Sequence, residues 1–238
     1  MSHPFFFRKR TGQGFSLIEL TVTLVVMGVL GLLAGFAFSG PDDTSSLQGR
    51  SEANKMREAL RYFVLANKRL PCPDSGGDGD EDCAAGESGF LPYLTLGLED
   101  AAGDRMRYAV YRGSAADDVT SLIERTGDGE GQPDYLGYGD TIAALKKIPV
   151  TLAASHVRIA SVGADGASDC GNFTHPAFVL VVPNADRDED GDPRDGVNAN
   201  GWPCVASPLQ SGSSIYDDVV VAEAPDTLIE WLFKHHVH

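Results

Sequence analysis

Base is scarce in this sequence: nineteen lysines and arginines stand against thirty-four aspartates and glutamates, a net charge of −15. Three of the basic residues, Arg8, Lys9 and Arg10, fall in the first ten positions. A chain cut after residue 14 would hold 16 basic and 34 acidic residues, a net charge of −18. A surface of that sign repels phosphate backbones and anionic lipid, so direct nucleic-acid binding is not expected. Enzyme motifs are missing too. There is no Gly-x-Ser-x-Gly, no phosphate-binding glycine loop and no His-Glu-x-x-His. Of six histidines, His3 precedes residue 14, and His235, His236 and His238 crowd the C-terminus. His156 and His175 flank expected strands with no nucleophile motif beside them, so the chain is not expected to be an enzyme.

Cysteine is sparse, with four residues, all beyond position 70 and none in a Cys-x-x-Cys pair. In an oxidising compartment Cys72, Cys83, Cys170 and Cys204 would form disulfides, with three connectivities open. Cys72–Cys83 and Cys170–Cys204 are the favoured pairs, because each closes its own local loop.

Long apolar runs are also few, and the most prominent lies near the start. Phe15 to Phe38 is a 24-residue run whose one charged residue is Glu19. As a helix it is about 36 Å long, enough to cross a hydrocarbon core of about 30 Å. The basic cluster before it should remain in the cytoplasm, placing everything after Phe38 on the far side. An acid inside a spanning segment is costly and marks function by default. If the chain is cut between Gly14 and Phe15, the new amine and Glu19 lie four residues apart on one helix face. A neighbouring helix displaced along a filament would pair them better than the same chain could.

Gly14-Phe15-Ser16-Leu17-Ile18-Glu19-Leu20 resembles the processing motif of type IV prepilins and of type II secretion pseudopilins. The resemblance implies a peptidase that cuts after Gly14 and methylates Phe15, and a Glu19 needed for assembly. It implies as partners a prepilin peptidase, other pilin or pseudopilin subunits and an inner-membrane assembly platform. The implied place is the inner membrane, crossed once with the head in the periplasm, or outside the cell in a pilus. A secretory signal cleaved near Gly35 and Ala37, or an uncleaved anchor, competes with this reading. Neither accounts for the offset between Gly14 and Glu19.

The expected organisation is a leader at 1–14, a transmembrane helix at 15–38, a hinge and amphipathic helix at 39–70, and a globular head at 71–238. Ala53, Met56, Leu60, Phe63 and Val64 recur at helical spacing. Residues 42–49 are polar enough to fray, and Leu70-Pro71-Cys72-Pro73 ends the helix. The head reads as strands at 105–112, 157–162, 177–182 and 218–222, with short helices at 115–125 and 141–147. A last helix is expected from Thr227, where Thr227 and Glu230 read as a capping box. The fold class is α+β, a long N-terminal helix on an antiparallel sheet. The segments 69–73, 89–98, 104–108 and 215–221 are similar to a head pattern of larger pilin-like proteins. A head of this size fits a minor pilin or minor pseudopilin. The alternative is a tip adhesin, for which Tyr135, Tyr138 and Trp202 are the loop aromatics available.

Three acidic loops invite a metal. In the loop 186–195, Asp186, Asp188, Asp190 and Asp192 alternate, with Gly191 at the sixth place. Calcium takes six to eight oxygens around such a turn. The twelfth place is Val197, where an EF-hand loop has a bidentate glutamate, leaving Asp195 as the substitute. A calcium site and a solvated acidic turn are the two readings of this loop. The loops 74–82 and 128–134 are weaker versions of it.

Overall fold

The computed structural model describes residues 42–99, 105–113, 118–121, 137–149, 156–160, 174–187, 189–199 and 203–236. The chain divides into two units, Met1–Asp43 and Thr44–His238. Gly14, Phe15 and Glu19, with the rest of the expected leader and transmembrane segment, lie outside the described residues. Among the described residues, no helix is long and apolar enough to cross a membrane.

The second unit is a mixed α+β fold around a four-stranded antiparallel sheet. Helix α1 (Asp42–Asn67) comes first, so the polar residues 42–49, expected to fray, are helical. Ala53, Leu60 and Val64 are fully buried along its stripe. Met56 packs against the core from a half-buried position. Phe63 is only half-buried, and the Arg69 guanidinium lies over its ring at 5.3 Å. The helix stops before the prolines: Lys68 turns left-handed (φ 55°), and its N–H reaches back to Val64 O at 2.8 Å.

The sheet has strand order β1-β2-β4-β6, with β1 Ser88–Phe90, β2 Arg107–Val110, β4 Phe178–Val182 and β6 Val219–Glu223. All three pairings are antiparallel, and the central register runs from Phe178↔Glu223 to Val182↔Val219. β3 (Arg158–Ile159) and β5 (Cys204–Val205) form a separate two-stranded ribbon, and it is parallel. The strands expected at 105–112 and 177–182 are present in shortened form; of the one expected at 157–162, the described part is strand only at Arg158–Ile159, and 161–162 lie outside the described residues. The strand expected at 218–222 is present one residue later, as β6, and an isolated pairing of Ser213 with Tyr216 precedes it.

Both faces of the sheet are covered, which explains why β4 is apolar without alternation. Phe178, Leu180 and Val182 face the helices with Tyr108, Val110, Val219 and Val221. Val179 and Val181 face the other side, with Ala109, Val157, Val205, Tyr216 and Val220. Helix α1 follows β4 and β6 closely. At one end, a Cβ on Gly49 would meet Val219 Cγ2 at 3.3 Å and Val182 Cγ1 at 3.6 Å. At the other, Arg61 bonds Glu223. Twelve helical residues rise about 18 Å, close to the length of the five-residue strand between those contacts.

Helices α2 (Tyr138–Lys147) and α3 (Pro225–His235) pack on each other. α2 includes the expected 141–147 and begins earlier, at Tyr138, which is therefore helical and not a loop aromatic. α3 also begins earlier than expected. Pro225 occupies its first turn, the N-cap is Ala224, and Leu228 N bonds Ala224 O at 3.0 Å. Thr227 and Glu230 therefore do not cap the helix; proline's fixed φ suits the first helical position. Of the helix expected at 115–125, the described residues 118–121 form a turn instead. Asp118 Oδ1 accepts from both the N–H and the hydroxyl of Thr120, a local bond that competes with helix.

Cys72 and Cys83 are joined, with Cα atoms 5.1 Å apart, as their spacing suggested. Cys204 is also disulfide-bonded. Cys170, the remaining cysteine of the sequence, lies outside the described residues.

Candidate metal centre

The acidic loop that follows β4 folds back upon itself. Asp186 Oδ1 accepts from Asp190 N at 3.2 Å, and its Oδ2 accepts from Gly191 N at 3.0 Å. Asp190 Oδ1 accepts from Asp192 N at 2.8 Å. Gly191 sits at φ 91°, the left-handed turn its position called for, and Glu189 shares that region at φ 56°. Asp192 is engaged by Arg194, whose Nη2 donates to Oδ2 at 2.6 Å and whose N–H donates to Oδ1. Partial burial works to raise the Asp192 carboxyl, but the Arg194 bonds outweigh it and hold the group below its ordinary value. Asp188 lies outside the described residues. Asp186, Asp190 and Asp192 thus serve the turns of their own loop.

The end of that loop is different. Asp195 is fully buried, and its carboxylate crosses to the segment entering β6. Its Oδ2 accepts from Asp217 N, and its Oδ1 accepts from Arg187 N, both at 2.8 Å. Asp218 answers in the other direction. Its Oδ2 accepts from Asp195 N at 3.0 Å and from Asn198 Nδ2 at 2.8 Å. Asp217 Oδ1 accepts from Ala185 N at 3.2 Å, and its Oδ2 accepts from Arg187 Nε at 2.8 Å. Each of Asp195, Asp217 and Asp218 presents one carboxylate oxygen to a common space, all within 4.8 Å of one another.

Asp218 is the group under most stress. It is 6 % exposed, and its Oδ1 is buried without a hydrogen-bond partner. Burial pushes its carboxyl up to about 7; bonds from Asn198 and Asp195 N hold it down, while the Asp195 and Asp217 charges push it further up. Tyr216 shares the pocket. Its hydroxyl accepts from Asn198 at 3.3 Å, and burial followed by the Asp218 charge raises its pKa.

Sequence reasoning found Asp195 as a substitute ligand but missed Asp217 and Asp218, which it took as part of the closing strand. The available signal was two acids leading straight into the apolar run Val219–Ala222, where a carboxylate needs a partner.

The other acidic positions are already occupied. Asp74 is fully buried and accepts from Gly77 N at 2.6 Å and Gly79 N at 2.8 Å. Cys72, Glu81 and Cys83 also lie close together, but both sulfurs are in the disulfide and Glu81 bonds Arg69 at 2.5 and 2.7 Å. The loop 128–134, Tyr135 and Trp202 lie outside the described residues. His156 bonds Glu87 at 2.5 Å, and His175 Nδ1 donates to Val157 O at 2.9 Å. His235 stacks on Trp231, and His236 lies against Tyr138.

Compared with known proteins, the chain matches no family model, no curated protein and no solved structure.

Proposed function

We propose that this chain is a structural subunit of a type IV pilus or a type II secretion pseudopilus, a minor pilin or minor pseudopilin. The observation that carries the reading is Gly14-Phe15 with Glu19 four residues on, set between a basic leader and a 24-residue apolar run. In this reading a prepilin peptidase cuts after Gly14 and methylates Phe15. The apolar segment holds the subunit in the inner membrane with its head in the periplasm. It later packs against other subunits as the assembly platform extrudes the filament. Glu19 meets the N-terminal amine of a neighbour and fixes the register.

The fold is consistent with that role. A 26-residue helix follows the apolar run and lays one stripe along an antiparallel sheet. The disulfide Cys72–Cys83 suits an oxidising compartment.

The test is the intact mass and N-terminal fragmentation of the chain isolated from its own membranes. A chain starting at methylated Phe15 supports the proposal. A start at Met1 or near Phe38 overturns it in favour of an ordinary anchor or an exported domain. Glu19→Ala should leave cleavage intact and reduce incorporation into filaments; normal incorporation would sink the register argument.

A further inference from the structure

We propose that Arg107, with Arg194 beside it, is a receptor for a single carboxylate, carried by a small molecule or by the side chain of an acidic protein. The inference stands on the head alone and is independent of the filament reading.

Arg107 opens β2, and its side chain leaves the sheet on the face away from the helices. Tyr108 and Val110 belong to the helix-side core and Ala109 to the opposite one, so Arg107 alternates with the first set. Its register partners are Phe90 on β1 and Val181 on β4, and Val181 is paired in turn with Val220. Arg107 is thus the charged residue in an otherwise apolar row across the sheet. Its guanidinium carbon lies 5.2 Å from the Phe90 ring centroid. The ring attracts the cation through its face but supplies no acceptor for the N–H groups in the guanidinium plane.

Acids outnumber bases in this chain by thirty-four to nineteen, so a carboxylate should be within reach of any arginine that needs one. Arg61, Arg69, Arg105, Arg112 and Arg187 each have one. Arg107 does not. Its side chain forms no ion pair and no hydrogen bond, and its Nε is buried without a partner. The two Nη atoms are unbonded as well and, unlike Nε, reach the surface.

Arg194 deepens the deficit. Its Nη2 donates to Asp192 Oδ2 at 2.6 Å, while its own Nε is also buried and unpaired. Burial first and the Arg194 charge second lower the pKa of Arg107, and Asp192 opposes them. Two guanidinium groups and one carboxylate leave one positive charge uncompensated. A partly desolvated charge without a partner is costly, and a cost kept in the free protein is the mark of a binding position.

The donor set selects the ligand. The paired N–H groups of a guanidinium match the two oxygens of a carboxylate. One surplus positive charge balances a monoanion. A phosphate monoester, with a charge of about −2, would overshoot that balance and be repelled by Asp192. Phe90 and Val181 flank the cation with apolar surface, which strengthens an ion pair formed between them.

The test uses the full-length protein in detergent with nitrogen-15 in its arginines, and follows the Nε–Hε resonances. The probes are acetate and a Gly-Glu-Gly peptide blocked at both ends, with phosphate and chloride at matched ionic strength as controls. The expected result is saturable shifts of the Arg107 and Arg194 signals, at far lower concentration of carboxylate than of either control. Saturation by acetate supports the proposal with a small-molecule ligand; saturation by the peptide alone supports it with a protein side chain as the source. Arg107→Lys keeps the charge without the fork and should weaken binding, read from Arg194, at least tenfold. Arg107→Met should abolish binding and raise the melting temperature of the carboxylate-free protein, because it removes a charge that has no partner. A lower melting temperature in Arg107→Met would show that the cation serves packing on Phe90 and would overturn the assignment. So would a carboxylate response retained in Arg107→Met, or a native protein that responds to chloride as it does to acetate and the peptide.

Discussion

Arg61 and Glu223 stand 162 residues apart in sequence and form a bidentate pair between α1 and β6, with Nη2 at 2.8 and 3.0 Å from the two carboxylate oxygens. Glu223 is 1 % exposed and lies on the helix-facing side of its strand, where Val219 and Val221 precede it. Glu58 braces the same guanidinium at 2.7 Å, and the Trp231 ring lies 5.7 Å beneath it. Burial raises the Glu223 carboxyl, with Arg61 opposing that shift. Removing one partner leaves the other charge buried, so Arg61→Ala or Glu223→Ala should each cost about 3–5 kcal/mol. Replacing both by apolar residues of similar volume, Arg61→Met with Glu223→Leu, should recover most of that loss. Chemical denaturation of the three variants measures it. An additive double variant would show that the pair does not act as a unit.

The Cys72–Cys83 bridge spans a sequence separation of eleven and closes the loop holding Asp74 and Glu81. Closing a loop of that size stabilises by about 3 kcal/mol through the unfolded chain. The loop has other supports: the Arg69–Glu81 pair, the bond from Cys72 N to Glu81 at 2.9 Å, and the pairing of Asp74 with Phe90. Cys72→Ala/Cys83→Ala should therefore lower the melting temperature by several degrees while preserving the far-ultraviolet circular dichroism of the sheet. Loss of the sheet signal would mean that the bridge is needed for folding and not only for stability.

Asp218 should give the head a distinctive pH response. Its folded value is pushed up to about 7 from an ordinary carboxyl value of 3.8. Between those values the native state binds a proton that the unfolded chain has released. Stability contributed by this group is thus full below about pH 4 and lost as pH rises through 7, by at most about 1.4 kcal/mol per pH unit. The native protein should lose stability from pH 5 to pH 8 more steeply than Asp218→Asn does. Glu223 is shifted in the same direction, so the comparison with the variant isolates Asp218. Parallel pH curves for the two proteins would refute the prediction.

What the sequence disclosed, and what it hid, follows the range of the interactions. The apolar run Ala177–Val182 could be read as a buried strand, and the stripe Ala53–Leu60–Val64 as a buried helix face, because each pattern is local. Cys72–Cys83 was legible for the same reason. Arg61 gave no sign of its partner, since nothing near it in sequence specifies Glu223. The parallel ribbon β3–β5 is two residues deep on each side, too short for any periodicity to register. The acidic junction was half-legible. The loop 186–195 stood out by composition, but composition cannot separate carboxylates that bond their own turns from one that crosses to β6. Only the pairing of Asp195 N with Asp218 and of Asp217 N with Asp195 makes that distinction.

Gly89 supplies the last test, at the joint between the first loop and the sheet. Asp74 pairs with Phe90 through two bonds, Phe90 N to Asp74 O at 2.8 Å and Asp74 N to Phe90 O at 3.0 Å. That pairing brings the backbone of Asp74 so close to β1 that a Cβ on Gly89 would meet Asp74 O at 2.3 Å and Pro73 Cβ at 3.1 Å. Neither obstacle is a flexible side-chain end, so Gly89→Ala must push the Pro73–Asp74 backbone away and break the bridge. The cost should be about 3 kcal/mol, at the upper end of ordinary overpacking. Gly86→Ala in the same stretch meets nothing within 4 Å and serves as the control, with an expected change within about 0.5 kcal/mol. Hydrogen exchange at the amides of Asp74 and Phe90 locates the effect: both should lose protection in Gly89→Ala and keep it in Gly86→Ala. Retained protection in Gly89→Ala would mean that β1 shifts as a unit and that the bridge is not the rigid element here.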